Sequence, residues 1–229
     1  KTFPVKYYLS ELNDNISISN ITNSKVSKEQ IINKAIKLHL DNNLSEAIKY
    51  YQYCLNKGFN DYRIFSNYGS ILKDLGKLED AEELLRKAVK ASPKNAEIHI
   101  NLGSILRDLG RLKEAEITTR KAIQINPDLP EAYSNLGTIL RDNGKIEEAA
   151  KITRKAIQIN PDFPEAYLNM GDLLRELGNL NEAEIITRKA IKLKTNFHKA
   201  YISLGEILFN LGKTEESNIC EYKAIEINP

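Results

Sequence analysis

Apolar residues recur along most of this chain at the three- and four-residue spacing of an amphipathic α-helix. In one stretch, Tyr133, Leu136 and Leu140 share a face of a predicted helix. The pair Asn143-Gly144 follows, and a second apolar stripe begins directly after it. Glycine readily takes the left-handed conformation that ends a helix. The pattern therefore predicts two helices joined by a tight turn.

This two-helix pattern repeats every 34 residues. The nonapeptide RKAIQINPD occurs at 120–128 and again at 154–162, and glycines, alanines and prolines recur in the same register. The period divides the chain into the repeats 28–61, 62–95, 96–129, 130–163, 164–197 and 198–229, of which the first is the weakest copy. Because two short helices cannot bury their apolar faces alone, we expect neighbouring repeats to stack and share one core.

Composition narrows the classes of function. The 229 residues are 41% hydrophobic and 28% charged with a net charge of +2, which offers no electrostatic basis for binding nucleic acid or a membrane surface. The chain also contains no apolar run long enough to span a bilayer. Cys54 and Cys220 match no metal or redox spacing. We expect them to be reduced thiols of a cytoplasmic protein.

Enzyme signatures are missing from the sequence. His39, His99 and His198 are far apart, and no metal-ligand spacing links them. No nucleophile-elbow, P-loop or paired-cysteine motif occurs. The glycines serve as helix stops and close-packing sites. The sequence therefore predicts no enzyme activity, no metal and no cofactor.

The repeated pattern resembles the tetratricopeptide repeat family. The residues that carry the resemblance in one repeat are Tyr133, Leu136-Gly137, Leu140, Gly144, Ala149, Ala156 and Pro161. One departure is threonine, at Thr119, Thr153 and Thr187, where the family usually has a bulky residue in the second helix. The resemblance implies an all-α fold, a right-handed α-solenoid or superhelix of antiparallel helix pairs. It also implies that the first helices line a concave groove and that the protein binds or scaffolds other proteins.

Three sets of polar residues are placed on that groove by the resemblance. They are Asn67, Asn101, Asn135 and Asn169; then Ser70, Ser104, Thr138 and Asp172; and then Lys73, Arg107, Arg141 and Arg175, each basic residue being followed by an acid. An asparagine amide both donates and accepts, so a row of them could hold the backbone of an extended peptide. The alternative is that asparagine is simply common at this position in the family.

The basic residues also allow two interpretations. The groove arginines could form a stripe that selects acidic side chains, or they could be solvated surface charges of little energetic value. A second basic series lies on the second helices with glutamates nearby, and we expect it to be solvated surface. It consists of Arg86-Lys87, Arg120-Lys121, Arg154-Lys155 and Arg188-Lys189.

The two ends break the pattern. Residues 1–27 are predicted to be a leader or linker, either partly disordered or a small cap. At the other end, Ala224, Ile225 and Ile227 should be covered by more repeats, a downstream domain or another copy of the chain. The sequence thus favours a module that binds an extended protein segment in its groove. The alternatives are a structural solenoid that stacks end to end, and the substrate-recognition region of a larger enzyme such as a glycosyl- or sulfotransferase.

Overall fold

A computed structural model describes residues 26–228, whose regular secondary structure is entirely helical. Each repeat contains a first and a second helix. The first helices are α1 (Lys28–Leu40), α3 (Tyr62–Asp74), α5 (Ala96–Asp108), α7 (Pro130–Asp142), α9 (Pro164–Glu176) and α11 (His198–Asn210). The second helices are α2 (Leu44–Asn56), α4 (Leu78–Ala91), α6 (Leu112–Ile125), α8 (Ile146–Ile159), α10 (Leu180–Leu193) and α12 (Thr214–Ile227). The leader predicted at 1–27 lies outside the described residues, apart from its last two positions.

Residues at the turns set where the helices begin and end. Ser27 starts α1 with a capping box, because its hydroxyl accepts from the Gln30 N–H at 3.2 Å and the Gln30 side chain accepts from the Ser27 N–H at 2.9 Å. Pro130 opens α7, where its missing N–H is harmless. The predicted stop at Gly144 is confirmed by its φ of 74°. Asn42 takes this place in the first repeat with a φ of 59°.

The chain divides into two compact units, residues 1–111 and 112–229. In the first unit α1 pairs with α2 and α3 with α4, while α2–α3 and α4–α5 contacts join successive repeats. In the second unit the pairs α7–α8, α9–α10 and α11–α12 are joined through α6–α7, α8–α9 and α10–α11 contacts. The predicted all-α solenoid of helix pairs is confirmed.

Glycine and threonine together allow the two helices of a pair to approach closely. A Cβ atom added at Gly137 would overlap Oγ1 of Thr153, and one added at Gly171 would overlap Oγ1 of Thr187. Both threonines are fully buried. They stand where the family usually has a bulky residue, so a small first-helix residue faces a compact second-helix residue in these two pairs. The departure noted in the sequence therefore preserves the packing of α7 on α8 and of α9 on α10.

Both cysteines are free thiols inside the protein, Cys54 in α2 and Cys220 in α12. Burial raises the pKa of the Cys54 thiol to about 12, and burial also raises the pKa of Cys220. Because the thiolate is the reactive form, neither residue is an effective nucleophile at neutral pH. The geometry agrees with the predicted reduced thiols.

Candidate functional site

In the second unit, the predicted asparagine row links neighbouring first helices. Asn169 on α9 donates from Nδ2 to Oγ of Ser134 at 2.8 Å and to Oγ1 of Thr138 at 3.1 Å, both on α7. No protein group within residues 26–228 donates to its Oδ1. Asn135 stands one repeat earlier and is half-buried, as Asn169 is. The donor side of Asn169 is thus engaged inside the protein, while its acceptor is available.

In the first unit, the corresponding side chains are buried. Asn67 and Asn101 are only 1% and 2% exposed, so a ligand cannot reach their amides in this conformation. The register continues back to Asn33 in α1, which is also buried and which the sequence analysis missed. The signal that could have found it is the 34-residue spacing to Asn67, which is obscured because Ala35 replaces the glycine of this repeat. The predicted peptide contact at Asn67 and Asn101 would require a change of conformation.

The residues that follow the first-helix glycines have two kinds of hydrogen bond. The hydroxyls of Ser70 and Thr138 donate to backbone carbonyls one turn earlier in their own helices, at 3.0 and 3.1 Å. Asp172 instead accepts a hydrogen bond from the hydroxyl of Ser203 on the next first helix. Thr138 and Asp172 are half-buried on their helices, whereas Ser70 is buried. The part of this set that a ligand can reach therefore lies in the second unit.

The two second-unit arginines predicted to line a groove form ion pairs with the following first helix. Arg141 Nη1 lies 3.1 Å from Oδ2 of Asp172, and Arg141 Nε lies 3.8 Å from Oε1 of Glu176. Arg175 Nη2 lies 3.2 Å from Oε2 of Glu206. The result is a stripe of alternating charge rather than a positive stripe. A ligand carboxylate would have to compete with the protein's own acids for these arginines.

The basic residues of the first unit have a similar arrangement. Lys73 Nζ lies 3.2 Å from Oδ2 of Asp108 and donates a hydrogen bond to Oγ of Ser104, while Arg107 Nη2 lies 2.8 Å from Oδ1 of Asp108. Burial alone would raise the pKa of Asp108, but Lys73 and Arg107 outweigh it and hold that pKa below its usual value. Asp108 is therefore a carboxylate at neutral pH, and it forms ion pairs with both cations.

The basic series on the second helices remains partly exposed, as predicted, but it also joins repeats. Arg120 lies 2.8 Å from Glu116 on its own helix and 2.6 Å from Glu148 on α8, and Lys145 reaches Glu116 at 2.9 Å. Burial acts to raise the pKa of Glu116, but Lys145 and Arg120 together hold it below its usual value. The same network recurs two repeats later through Arg188, Glu184, Glu216 and Lys213.

Metal sites and membrane-spanning helices are two other features that can indicate a protein's function. Among residues 26–228, no cluster of three or more metal-ligating side chains is present. No helix in that part of the chain has the length and apolar character needed to cross a membrane.

The repeat architecture agrees with known sequence families. Models described as tetratricopeptide repeat match residues 72–138, 164–197 and 198–229, a model described as TPR repeat matches 137–178, and one described as tetratrico peptide repeat matches 40–97. The chain belongs to the tetratricopeptide repeat family. Proteins of this family are protein-interaction modules and are typically scaffolds without catalytic activity, which is the coarse function that family membership gives.

Solved structures with the same fold include several repeat proteins. The crystal structure of MamA is 26% identical with a TM-score of 0.56, over 69% of this chain and 93% of that chain. TTC0263, described as a thermophilic TPR protein in Thermus thermophilus, is 22% identical with a TM-score of 0.69, over 73% and 92%. YrrB, described as a TPR protein with an unusual peptide-binding site, is 21% identical with a TM-score of 0.51, over 78% and 92%. No curated protein matches the chain.

Proposed function

We propose that this chain captures an extended segment of a partner protein on the first helices of its second unit. The observation that carries the proposal is the engaged donor and available acceptor of Asn169. An extended segment presents backbone N–H groups that such an acceptor can bind whatever the side chains are. Because Ser134 and Thr138 already hold the amide in place, binding would immobilise little further side-chain freedom. YrrB, with the same fold and a described peptide-binding site, supports the proposal by analogy.

The neighbouring charges would act on selectivity. Arg141 and Arg175 form ion pairs with acids of the next first helix, so a segment of either charge meets a matching group beside an opposing one. We expect the asparagines to provide sequence-independent contacts and the charge stripe to set preferences among partners. The free, buried thiols support a reducing, cytoplasmic location for this activity. The same recognition role would serve a larger enzyme equally well.

The residues of the first repeat give less support to the alternative in which chains stack end to end. The α1 helix of this repeat has polar residues at three positions where α9 has buried apolar ones. These positions are Gln30, Lys34 and Lys37 in α1, against Ala166, Met170 and Leu173 in α9. Met170 and Leu173 share a core cluster with Leu136 of the preceding repeat. An apolar face of another molecule would meet these three polar side chains.

The test compares affinities for a partner first recovered by pull-down with the full chain. The double variant Asn135→Ala/Asn169→Ala should weaken binding by about tenfold or more, since each lost hydrogen bond to a desolvated group is worth about 1 kcal/mol. The matched control is Asn218→Ala, which removes an exposed asparagine from α12. Asn169→Asp keeps the acceptor and should retain more affinity than Asn169→Ala. Equal affinity of the parent and the folded double variant would contradict the proposed site.

A further inference from the structure

The first helix of the second repeat, α3, is enclosed on every side. All of its residues from Ile64 to Leu72 are buried. In the corresponding helix of the second unit, α9, the positions Tyr167, Asn169 and Asp172 are half-buried. The clearest comparison is between Asn67 and Asn169, because residue type and repeat position are the same and yet Asn67 is only 1% exposed. The central part of α3 therefore has no side that faces water.

The helices around α3 do not account for this enclosure. α3 contacts α1, α2, α4 and α5, which are the counterparts of the helices α7, α8, α10 and α11 around α9. The contacts of α3 with α1, α2 and α5 are less extensive than those of α9 with the corresponding helices. On this basis α3 should be the more exposed of the two helices. A further part of the chain must therefore cover the side of α3 that carries Asn67.

The amide of Asn67 also lacks a partner among the described residues. The amide of Asn169 binds two hydroxyls of the preceding first helix. The same two positions before Asn67 are Ile32 and Ile36, whose side chains have no polar atom. Neither Nδ2 nor Oδ1 of Asn67 has a hydrogen bond within residues 26–228, and the nearby Tyr51 hydroxyl is outside hydrogen-bond geometry. Because an unpaired buried amide is unfavourable, the cover should supply a donor and an acceptor.

We propose that residues 15–24 of this chain are the cover, bound as an extended segment across the first helices of the first unit. Residues 1–25 lie outside the described residues, and they join the first unit at Val26, directly before α1. Ten extended residues span about 33 Å, whereas three neighbouring first helices extend over about 20 Å at an interaxial distance of about 10 Å. The segment is therefore long enough to reach from α1 across α3 to α5.

The composition of this segment suits an enclosed site. Residues 15–24 read NISISNITNS and contain no charged side chain, so their burial leaves no ion without a partner. The backbone of an extended segment offers an N–H and a carbonyl oxygen at each of these residues. These are the donor and the acceptor that the amide of Asn67 lacks among the described residues.

The order of residues in the segment also matches the site. Apolar and polar residues alternate from Asn15 to Ser19, and in an extended chain this alternation puts Ile16 and Ile18 on one side. On the helices, Ile36 of α1 and Ile100 of α5 stand at first-helix positions that hold hydroxyl residues in α7, and both are buried. The apolar side of the segment would meet these isoleucines, which favours burial of both.

The proposal does not rest on capture of a partner by the second unit. It gives the two units different occupants, because the first unit holds a segment of its own chain while the acceptor of Asn169 stays available for a partner. The buried amides of Asn67 and Asn101 would become accessible only when the segment leaves.

Thiol labelling of the full chain measures whether α3 is covered. Ser70→Cys places a nearly isosteric thiol on the enclosed helix, and Thr138→Cys places one at the same position of α7, which is half-buried. The parent chain gives the background rate, because Cys54 and Cys220 are both buried. We expect the Ser70→Cys thiol to react with a maleimide at least about tenfold more slowly than the Thr138→Cys thiol.

Charged substitutions in the segment identify what the cover is. Ile16→Asp/Ile18→Asp would put two carboxylates into the enclosed site, so it should release the segment and raise the labelling rate of the Ser70→Cys thiol by about tenfold. The matched control is Ser17→Asp/Ser19→Asp, which puts the same charges on the other side of the segment and should leave the protection in place. Neither double variant should change the labelling rate of the Thr138→Cys thiol.

Photo-crosslinking locates the segment without added charge. A benzophenone amino acid replaces Ile18 in the full chain, and the cross-linked peptides are identified by mass spectrometry. We expect cross-links within one chain to the first helices of the first unit, α1, α3 or α5.

Three results would overturn the proposal. The first is equal labelling of the Ser70→Cys and Thr138→Cys thiols when the segment is unchanged. The second is protection that survives Ile16→Asp/Ile18→Asp, or cross-links that miss all three helices. The third is protection that is lost on dilution, which would assign the cover to a second copy of the chain. Partner binding by the second unit is measured separately with Asn135→Ala/Asn169→Ala, so the two proposals can fail independently.

Discussion

The close approach of α7 and α8 makes a quantitative prediction for Gly137. Replacing glycine with alanine in a helix interior normally stabilises the helix by about 0.5–1 kcal/mol. At Gly137, however, the new Cβ would overlap Oγ1 of Thr153, whose side chain is fully buried. Overpacking of this kind costs about 1–3 kcal/mol. We therefore expect Gly137→Ala to destabilise the second unit by up to about 2.5 kcal/mol, which is the overpacking cost less the helix gain.

Gly205 provides the matched control, because it occupies the same position in α11 without the overlap. Its added Cβ would lie 3.6 Å from Cβ of Cys220 and 3.6 Å from the carbonyl oxygen of Ser217, which are ordinary contacts. Gly205→Ala should therefore show only the stabilisation that alanine gives to a helix interior. The propensity gain cancels in the comparison, so the two variants should differ in stability by about 1–3 kcal/mol, which is the cost of overpacking.

The assay is urea unfolding followed by circular dichroism, with amide hydrogen exchange to locate the change in α7 and α8. Localisation is needed because repeat arrays can unfold in parts. In the background Thr153→Ala, Gly137→Ala should become stabilising, since the obstructing atom is gone. Thr153 Oγ1 has no hydrogen-bond partner, so its removal leaves no buried group unpaired. If Gly137→Ala and Gly205→Ala shift the midpoint equally, the packing argument is wrong.

Two further predictions concern the ion pairs of the second helices. The hydrogen bond from Lys213 lowers the pKa of Glu184, so its contribution is present above the unfolded value of 4.5 and is lost as the pH falls through the lower folded value. Glu184→Gln should therefore be less stable than the parent at pH 7, by up to about 1 kcal/mol, and should lose less stability on acidification. Thermal melts between pH 7 and pH 3 would measure both effects. Parallel pH profiles of the two proteins would contradict the prediction. One repeat earlier, the positions that correspond to Glu184 and Lys213 hold Ala150 and Asn179. The double variant Ala150→Glu/Asn179→Lys should therefore add the ion pair that this junction lacks. A double-mutant cycle in urea should give a favourable coupling of about 0.5 kcal/mol that declines in high salt, and a coupling of zero would show that this junction cannot form the pair.

The fold was predictable from the sequence because the period fixes both helices and turns. Gly144 and the small residues of each helix pair recur in register, and every recurrence supports the same pairing. The identities of the asparagine row were predictable for the same reason. Their burial was not, because it depends on what covers each first helix in the folded chain. Asn67 and Asn169 have the same residue type and the same repeat position, yet one is enclosed and the other is half-exposed.

The partners of the ion pairs could not be predicted from the sequence either. Arg141 is followed directly by Asp142, which invites a local pair, but its shortest contact is with Asp172 on the next first helix. Arg107 does contact the adjacent Asp108, at 2.8 Å, whereas Arg141 contacts an acid that the stacking of repeats brings closer than its neighbour in sequence. The recurrence of the same relation at Arg175 and Glu206 shows that the spacing is a property of the array. Such spacings become readable only after the stacking geometry is known.

The first and last repeats depart from the interior pattern at the positions where a neighbouring repeat would make contact. Lys34 and Lys37 replace apolar residues on the face of α1 that corresponds to a junction, which makes that face a poor partner for an apolar surface. Phe209 and Tyr222 replace arginines at the other end, which makes that face more apolar than the interior junctions. Lysine side chains on the one face disfavour burial and aromatic side chains on the other favour it, so the two faces differ in their chemistry.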